Sequence, residues 1–273
     1  MIAVEFSQVL ALASKEFRDR LRNRWVLAVA VVFTVFSVVI AYFGGAQQGS
    51  VGLRSIEFTI ASLVSLVIYL IPLIALILGF DAIVGERERG ALDLLLSLPI
   101  TRLEVLLGKY LGLAAALTLS TLAGFALIAV LLYQQWNWRG LFHYGGFVIS
   151  SILLGWAFLS LALLISVAAR DRARASGLAI ATWFFFVLVF DLLVLGLLVS
   201  TGGRIAGDVF AYLLLLNPAD VFRILNVFSL EDVNKLYGLT SVVPPALGNP
   251  LRMGAVMVLW IVLPLMIARW RFK

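Results

Sequence analysis

The sequence predicts an all-α, polytopic integral membrane protein with six transmembrane helices, both termini on the cytoplasmic side, and an amphipathic interfacial helix at its N-terminal end. Three observations predict it. Hydrophobic residues make up 63% of the chain and charged residues only 13%, too little polar surface to clothe a soluble domain. The apolar residues fall into runs of roughly 20, the length a helix needs to cross a hydrocarbon core of about 30 Å. Lys and Arg gather at alternate ends of those runs, which is how orientation in a membrane is written. All 273 residues are accounted for by a single transmembrane domain, 1–273.

Residues 1–24 come first. Phe6, Leu10, Ala13, Phe17 and Leu21 recur at spacings of four and three, while Lys15, Arg18, Asp19 and Arg22 fall opposite, the pattern of a helix lying on the inner leaflet or against a soluble partner. More than twenty residues of mixed polarity precede the first span, so no cleavable signal peptide is expected. The six spans are Trp25–Phe43, Phe58–Phe80, Tyr110–Leu132, Phe147–Ala169, Leu178–Val199 and Leu251–Ile267. Val209–Leu216 is too short to cross and reads as a re-entrant or interfacial piece.

Orientation follows from the basic residues. With the N-terminus inside, Lys15, Arg18, Arg20, Arg22, Arg24, Arg87, Arg89, Arg102, Lys109, Arg170, Arg172, Arg174, Arg269, Arg271 and Lys273 all lie inside. Only Arg54, Arg139, Arg204, Arg223, Lys235 and Arg252 lie outside. Trp25 and Trp270 fit an inner aromatic boundary, and Tyr133, Trp136 and Trp138 an outer one. The net charge of +6 is thus topological, and nucleic acid is not an expected partner.

Features inside the spans are few. Pro72 offers a kink in the second. Gly108, Gly112, Ala116, Ser120 and Gly124 keep one face of the third small over five turns, open to close packing by a neighbouring helix or by a second copy. Asp191 is the one ionisable residue deep in a span. It lines a polar path, bonds across a subunit interface, or sits neutral and satisfied.

Residues 81–109 form the longest cytoplasmic connection. Gly85, Glu86, Arg87, Glu88, Arg89 and Gly90 lead into a leucine-rich stretch, Ala91–Leu98, that Pro99 ends. Thr101 followed three residues later by Glu104 is a capping box, so a new helix should start at Arg102. Leu92, Leu95 and Leu96 on a short cytoplasmic helix call for a covering protein or for the headgroup layer. Outside, residues 201–250 are too long for a simple turn. Asn217 is a plausible N-cap with Pro218 at the first helical position, followed by an apolar stripe of Val221, Ile224, Leu225 and Phe228. That stripe docks a periplasmic protein or covers the outer mouth of the bundle.

The run Gly85–Leu92, then Leu95–Arg102 and Leu106–Lys109, resembles the first coupling loop of six-helix ABC exporter permeases of the second type. The resemblance covers nearly the whole chain, with residues 1–24 as the connecting helix and 201–250 as the re-entrant external segment. It implies a second copy of the chain and a separate cytoplasmic ATPase dimer that binds ATP and Mg, with Glu86, Arg87, Glu88, Arg89, Gly90, Leu92, Leu95, Leu96, Pro99 and Arg102 as its contact set. Leu216–Arg223 further resembles a subfamily that serves maturation of the copper sites of nitrous oxide reductase. That implies a copper-handling periplasmic partner for Pro218, Val221, Phe222 and Leu225, in an inner membrane whose lipid solvates the rest.

Catalysis is not expected in this chain. Gly85 and Gly90 have the spacing of a phosphate loop, but Ala91 stands where lysine is required. No cysteine and a single histidine leave little for a metal cage. His143 among aromatic residues, and Met253 with Met257 one turn apart, are conceivable copper contacts, with an interfacial role and packing as the commoner uses. Two rival readings remain. A stand-alone ion-coupled carrier calls for repeats, broken helices or several intramembrane charges, and a membrane anchor for an outer partner needs no transport at all.

Overall fold

The computed structural model describes residues 5–22, 25–43, 56–131, 133, 138–202, 212–227 and 249–272. Its helices are α1 (Phe6–Arg22), α2 (Trp25–Phe43), α3 (Ile56–Gly79), α4 (Val84–Glu88), α5 (Ala91–Leu96), α6 (Arg102–Leu131), α7 (Trp138–Ala168), α8 (Arg172–Phe184), α9 (Phe190–Ser200), α10 (Pro218–Val227) and α11 (Pro250–Arg271). A π-helical turn, Phe185–Val189, joins α8 to α9. Arg54, Trp136, Arg204, residues 209–211, Phe228, Lys235 and the side chains of Trp25 and Trp138 lie outside the description.

Among the described residues, five helical stretches are long and apolar enough to cross a membrane: Thr59–Glu88, Arg102–Leu131, Phe142–Ala168, Arg172–Ser200 and Pro250–Arg271. The first expected span falls in α2, 19 residues long, whose described apolar run is the shorter Ala30–Phe43. Residues 214–216, the end of the short outer segment, form one 3-10 turn.

The bundle is built around α7, which packs against α3, α6, α10 and α11. Small residues let the backbones approach. A Cβ on Gly155 of α7 would stand 2.9 Å from Leu117 Cδ2 and 3.1 Å from Ile71 Cγ2, and one on Gly79 of α3 would stand 2.8 Å from Ala162 Cβ. Without a hydrophobic drive between helices in lipid, such contact and interhelical hydrogen bonds hold the bundle. Trp156 Nε1 donates to Thr118 Oγ1 at 3.0 Å, Trp183 Nε1 to the Tyr69 carbonyl at 2.9 Å, and Trp260 Nε1 to the Leu215 carbonyl at 3.0 Å.

The small face of α6 is filled from within the chain. Gly108 and Gly112 lie against α1, where a Cβ would come within 2.6 Å of Leu12 Cβ and of the Ala13 carbonyl oxygen respectively. At Gly124 it would meet Phe33 of α2 at 2.4 Å, while Ala116 and Ser120 between them are buried. Of the two occupants open from the sequence, these contacts are with an intrachain neighbour.

That docking gives α1 a second, packed face beside the expected one. Val9, 2% exposed, and Leu12 turn onto α6, whereas Phe6, Leu10 and Leu21 remain exposed. The helix thus has one side on α6 and an adjacent apolar side left exposed. The periodicity detects apolar residues without saying which of two neighbouring faces meets protein.

Candidate coupling site

The link from α3 to α6 folds into a cap of two short helices. Gly90 separates them at φ 68°, a left-handed conformation that a side chain makes costly. Downstream, the Thr101 N–H and hydroxyl donate to Glu104 Oε2 at 2.6 and 2.7 Å, and the Glu104 N–H donates to Thr101 Oγ1 at 3.3 Å. The reciprocal capping box therefore starts α6 at Arg102. The other Glu104 oxygen accepts the Glu5 N–H at 2.6 Å, which ties the start of α1 to the start of α6.

Burial sorts the leucines of α5. Leu92 is buried, and Leu95 and Leu96 are half-buried against the core. Leu94 and Leu98, four residues apart, are the ones turned outward, 74% and 53% exposed. Glu88, Arg89 and Pro99 are exposed beside them. On so short a helix, propensity does not reveal which leucine anchors and which is offered.

The cap is fastened on two sides. Toward α7 and α8, Ser166 Oγ accepts the Ile83 and Val84 N–H groups at 2.9 and 3.1 Å. Arg87 Nη1 donates to the Ala169 carbonyl at 3.0 Å. The Arg172 N–H donates to Glu88 Oε1 at 2.8 Å, and its guanidinium pairs with Asp81 at 2.6 Å. Asp171, whose carboxylate accepts the Arg174 N–H at 2.7 Å, caps α8 beside this latch. The connection from α7 to α8 is thus pinned to the cap.

Toward α1 and α6 the fastening is ionic. Lys109, with a side chain only 5% exposed, meets Glu86 at 2.6 Å and Glu16 at 3.1 Å. One buried ammonium therefore joins α6, α4 and α1. Burial pushes the Glu16 carboxyl up, but the Lys109 and Arg20 cations beside it outweigh burial and hold it below its ordinary value. Oε2 of Glu86 is buried and has no hydrogen-bond partner among the described residues. The cluster borders a charged cleft of about 340 Å3 with Asp19, Arg20, Asp81, Arg89 and Arg172. Glu16 and Lys109 were legible only as helix charges, because their meeting requires α1 to lie along α6.

A second polar cluster ties α10 to the bundle. Asn217 caps α10, accepting the Ala219 N–H at 3.0 Å, and its amide donates to the Phe186 carbonyl of the π turn at 2.9 Å. Asp191 pairs with Arg223 at 3.1 Å, and Arg223 also binds the buried Asp220. Asp191 has its partner within its own chain, on a helix the sequence presents as an outer segment. Pro218, Val221 and Phe222 are buried and Leu225 is half-buried, packed against α3, α7 and α11. Of the two uses the sequence leaves open, the described residues of this stripe pack on the bundle.

Met253 and Met257 are buried core residues. The half-buried His143 ring lies 6.0 Å from that of Phe142. Among the described residues no three His, Cys, Asp or Glu side chains gather as a metal site.

The sequence model of the ABC-2 family transporter proteins matches residues 10–273, and the chain belongs to that family, as an ABC transporter permease. Among curated proteins it is similar to the "Probable ABC transporter permease protein NosY" of Stutzerimonas stutzeri. The two are 46% identical over 239 residues, covering 86% of this chain and 87% of the relative. The protein of the same name from Pseudomonas aeruginosa is 44% identical over 261 residues, covering 94% and 92%.

Proposed function

We propose that this permease sits in the inner membrane with six spans and both termini in the cytoplasm, pairs with a second copy, and converts ATP hydrolysis by a separate cytoplasmic ATPase dimer into helix motion. The ATPase is of the NosF type and carries the ATP and Mg, and this chain catalyses nothing itself. The outer partner is a periplasmic protein of the NosD type, and the process served is maturation of the copper sites of nitrous oxide reductase. The shared name of the two relatives supports the narrower part.

The cap carries the mechanical part of the reading. Its outward leucines, Leu94 and Leu98, suit a protein contact. A push on them passes by Arg87 and Arg172 into α8 and by Lys109 into α6 and α1. At the far end α9 reaches α10 through Asp191 and Arg223, giving a continuous mechanical path. The largely uncovered α8–α9 stretch suits a second copy. A complete Walker loop in the product of an adjacent reading frame supports the reading cheaply.

The experiment is copurification in mild detergent with that ATPase. Leu94→Glu and Leu98→Glu should each abolish capture of the ATPase, while Ser200→Glu, exposed at the far end of α9, should not. Retention of the ATPase by both cap variants overturns the coupling role.

A further inference from the structure

At the end of the bundle where α6 begins and α11 finishes, Arg102 and Arg269 flank a recess of about 170 Å3 floored by Leu103, Leu106 and Phe272. The Arg102 guanidinium lies 6.0 Å from the centre of the Phe272 ring, close enough for a cation–π contact. Among the described residues neither arginine pairs with a carboxylate. Glu104, the acid nearest Arg102 in sequence, is buried with both oxygens engaged by Thr101 and Glu5. Two cations therefore face one small recess with no carboxylate partner among the described residues, an arrangement that selects an anion.

The surroundings specify which anion. A soluble phosphate gains nothing from a floor of leucine and phenylalanine, whereas the glycerol ester region of a lipid does. Trp270, next to Arg269 and 67% exposed, marks the interfacial level where headgroups lie. Leu103, Leu106, Tyr110 and Ala114 continue at spacings of three, four and four, one stripe of α6. Tyr110 and Ala114, further along α6, border a separate apolar groove of about 450 Å3 with Thr118, Leu122 and Trp156.

We propose that this recess binds the headgroup phosphate of an anionic phospholipid. The site holds the foot of α6 to the tail of α11, and it stands independently of any contact with an ATPase.

The test uses the full chain in a neutral detergent, with melting temperature followed against added dioleoylphosphatidylglycerol, dioleoylphosphatidylcholine or inorganic phosphate. Phosphatidylglycerol should protect with saturation, and the other two should not. At roughly fivefold per cationic contact, Arg102→Gln with Arg269→Gln should raise the half-saturating phosphatidylglycerol concentration about 30-fold. Arg102→Lys with Arg269→Lys, which keeps the charge and guards against misfolding, should lose less. Arg18→Gln with Arg22→Gln, on exposed positions of α1, removes the same charge away from the recess and should raise the midpoint less than the recess pair does. Equal loss in that control, equal protection by inorganic phosphate, or an unchanged midpoint in the glutamine pair overturns the proposal. So does loss of ATPase capture by the glutamine pair with lipid protection intact, which assigns the arginines to a protein carboxylate.

Discussion

Replacing Lys109 by methionine keeps the length of the side chain and removes the one cation shared by Glu16 and Glu86. Glu16 retains Arg20 at 3.1 Å, whereas Glu86 has no other hydrogen-bond partner among the described residues. Breaking a buried pair by removing one member costs about 3–5 kcal/mol. Because both carboxylates border an open cleft that water can enter, the lower figure of about 3 kcal/mol applies here. At about 1.4 kcal/mol per tenfold, the fraction of molecules with α1 lifted from α6 should rise roughly 100-fold. The chain has no cysteine, so a single Val9→Cys, buried on the face of α1 that meets α6, reports that opening through its rate of maleimide labelling. Lys109→Met should accelerate labelling by about that factor, and adding Glu16→Gln and Glu86→Gln should recover most of the protection, since no carboxylate is then stranded. A rate within about threefold of the parent, or a triple variant no better than the single one, refutes the argument that this ammonium holds α1, α4 and α6 together.

Three further outcomes follow from the same geometry. Gly112→Ala gains about 1 kcal/mol of helix propensity, yet its Cβ meets the Ala13 carbonyl at 2.6 Å; overpacking of about 1–3 kcal/mol should lower the melting temperature. Gly177→Ala, facing open space, should leave it equal or higher. For Glu16 the folded carboxyl titrates below its ordinary value of 4.5, so its stabilisation is complete above that value and disappears as pH falls through the lower folded one; labelling at Val9→Cys, read with an acid-tolerant thiol reagent, should rise only on that acidic side, and Glu16→Gln should flatten the dependence. Arg223→Gln leaves both Asp191 and Asp220 without their cation and should lower stability in thermal unfolding by less than the cost of breaking a fully buried pair, about 3–5 kcal/mol, because the Arg223 side chain is 40% exposed and screened. Asp191→Asn should cost less, because Arg223 keeps Asp220, while weakening coupled transport in sealed vesicles; unchanged transport removes Asp191 from the mechanism.

The sequence by itself determined what depends on local chemistry and on one-dimensional pattern. Hydropathy placed the long apolar helices, since a membrane segment must be apolar along its whole length and satisfy its own backbone. The Thr101 and Glu104 box, the Asn217 cap and the break after α5 were legible because each joins residues at most a few positions apart. Membership of the permease family was likewise carried by contiguous residues of the cap. Tertiary structure alone decided the meetings between distant residues: Glu16 with Lys109 and Glu86, Asp191 with Arg223, and Gly108 and Gly112 with the backbone of α1. It also decided which side of an apolar helix faces protein, turning Val221 and Phe222 inward and Leu94 outward. In lipid both faces of a helix are apolar, so hydrophobic periodicity loses its power to orient and close packing takes over.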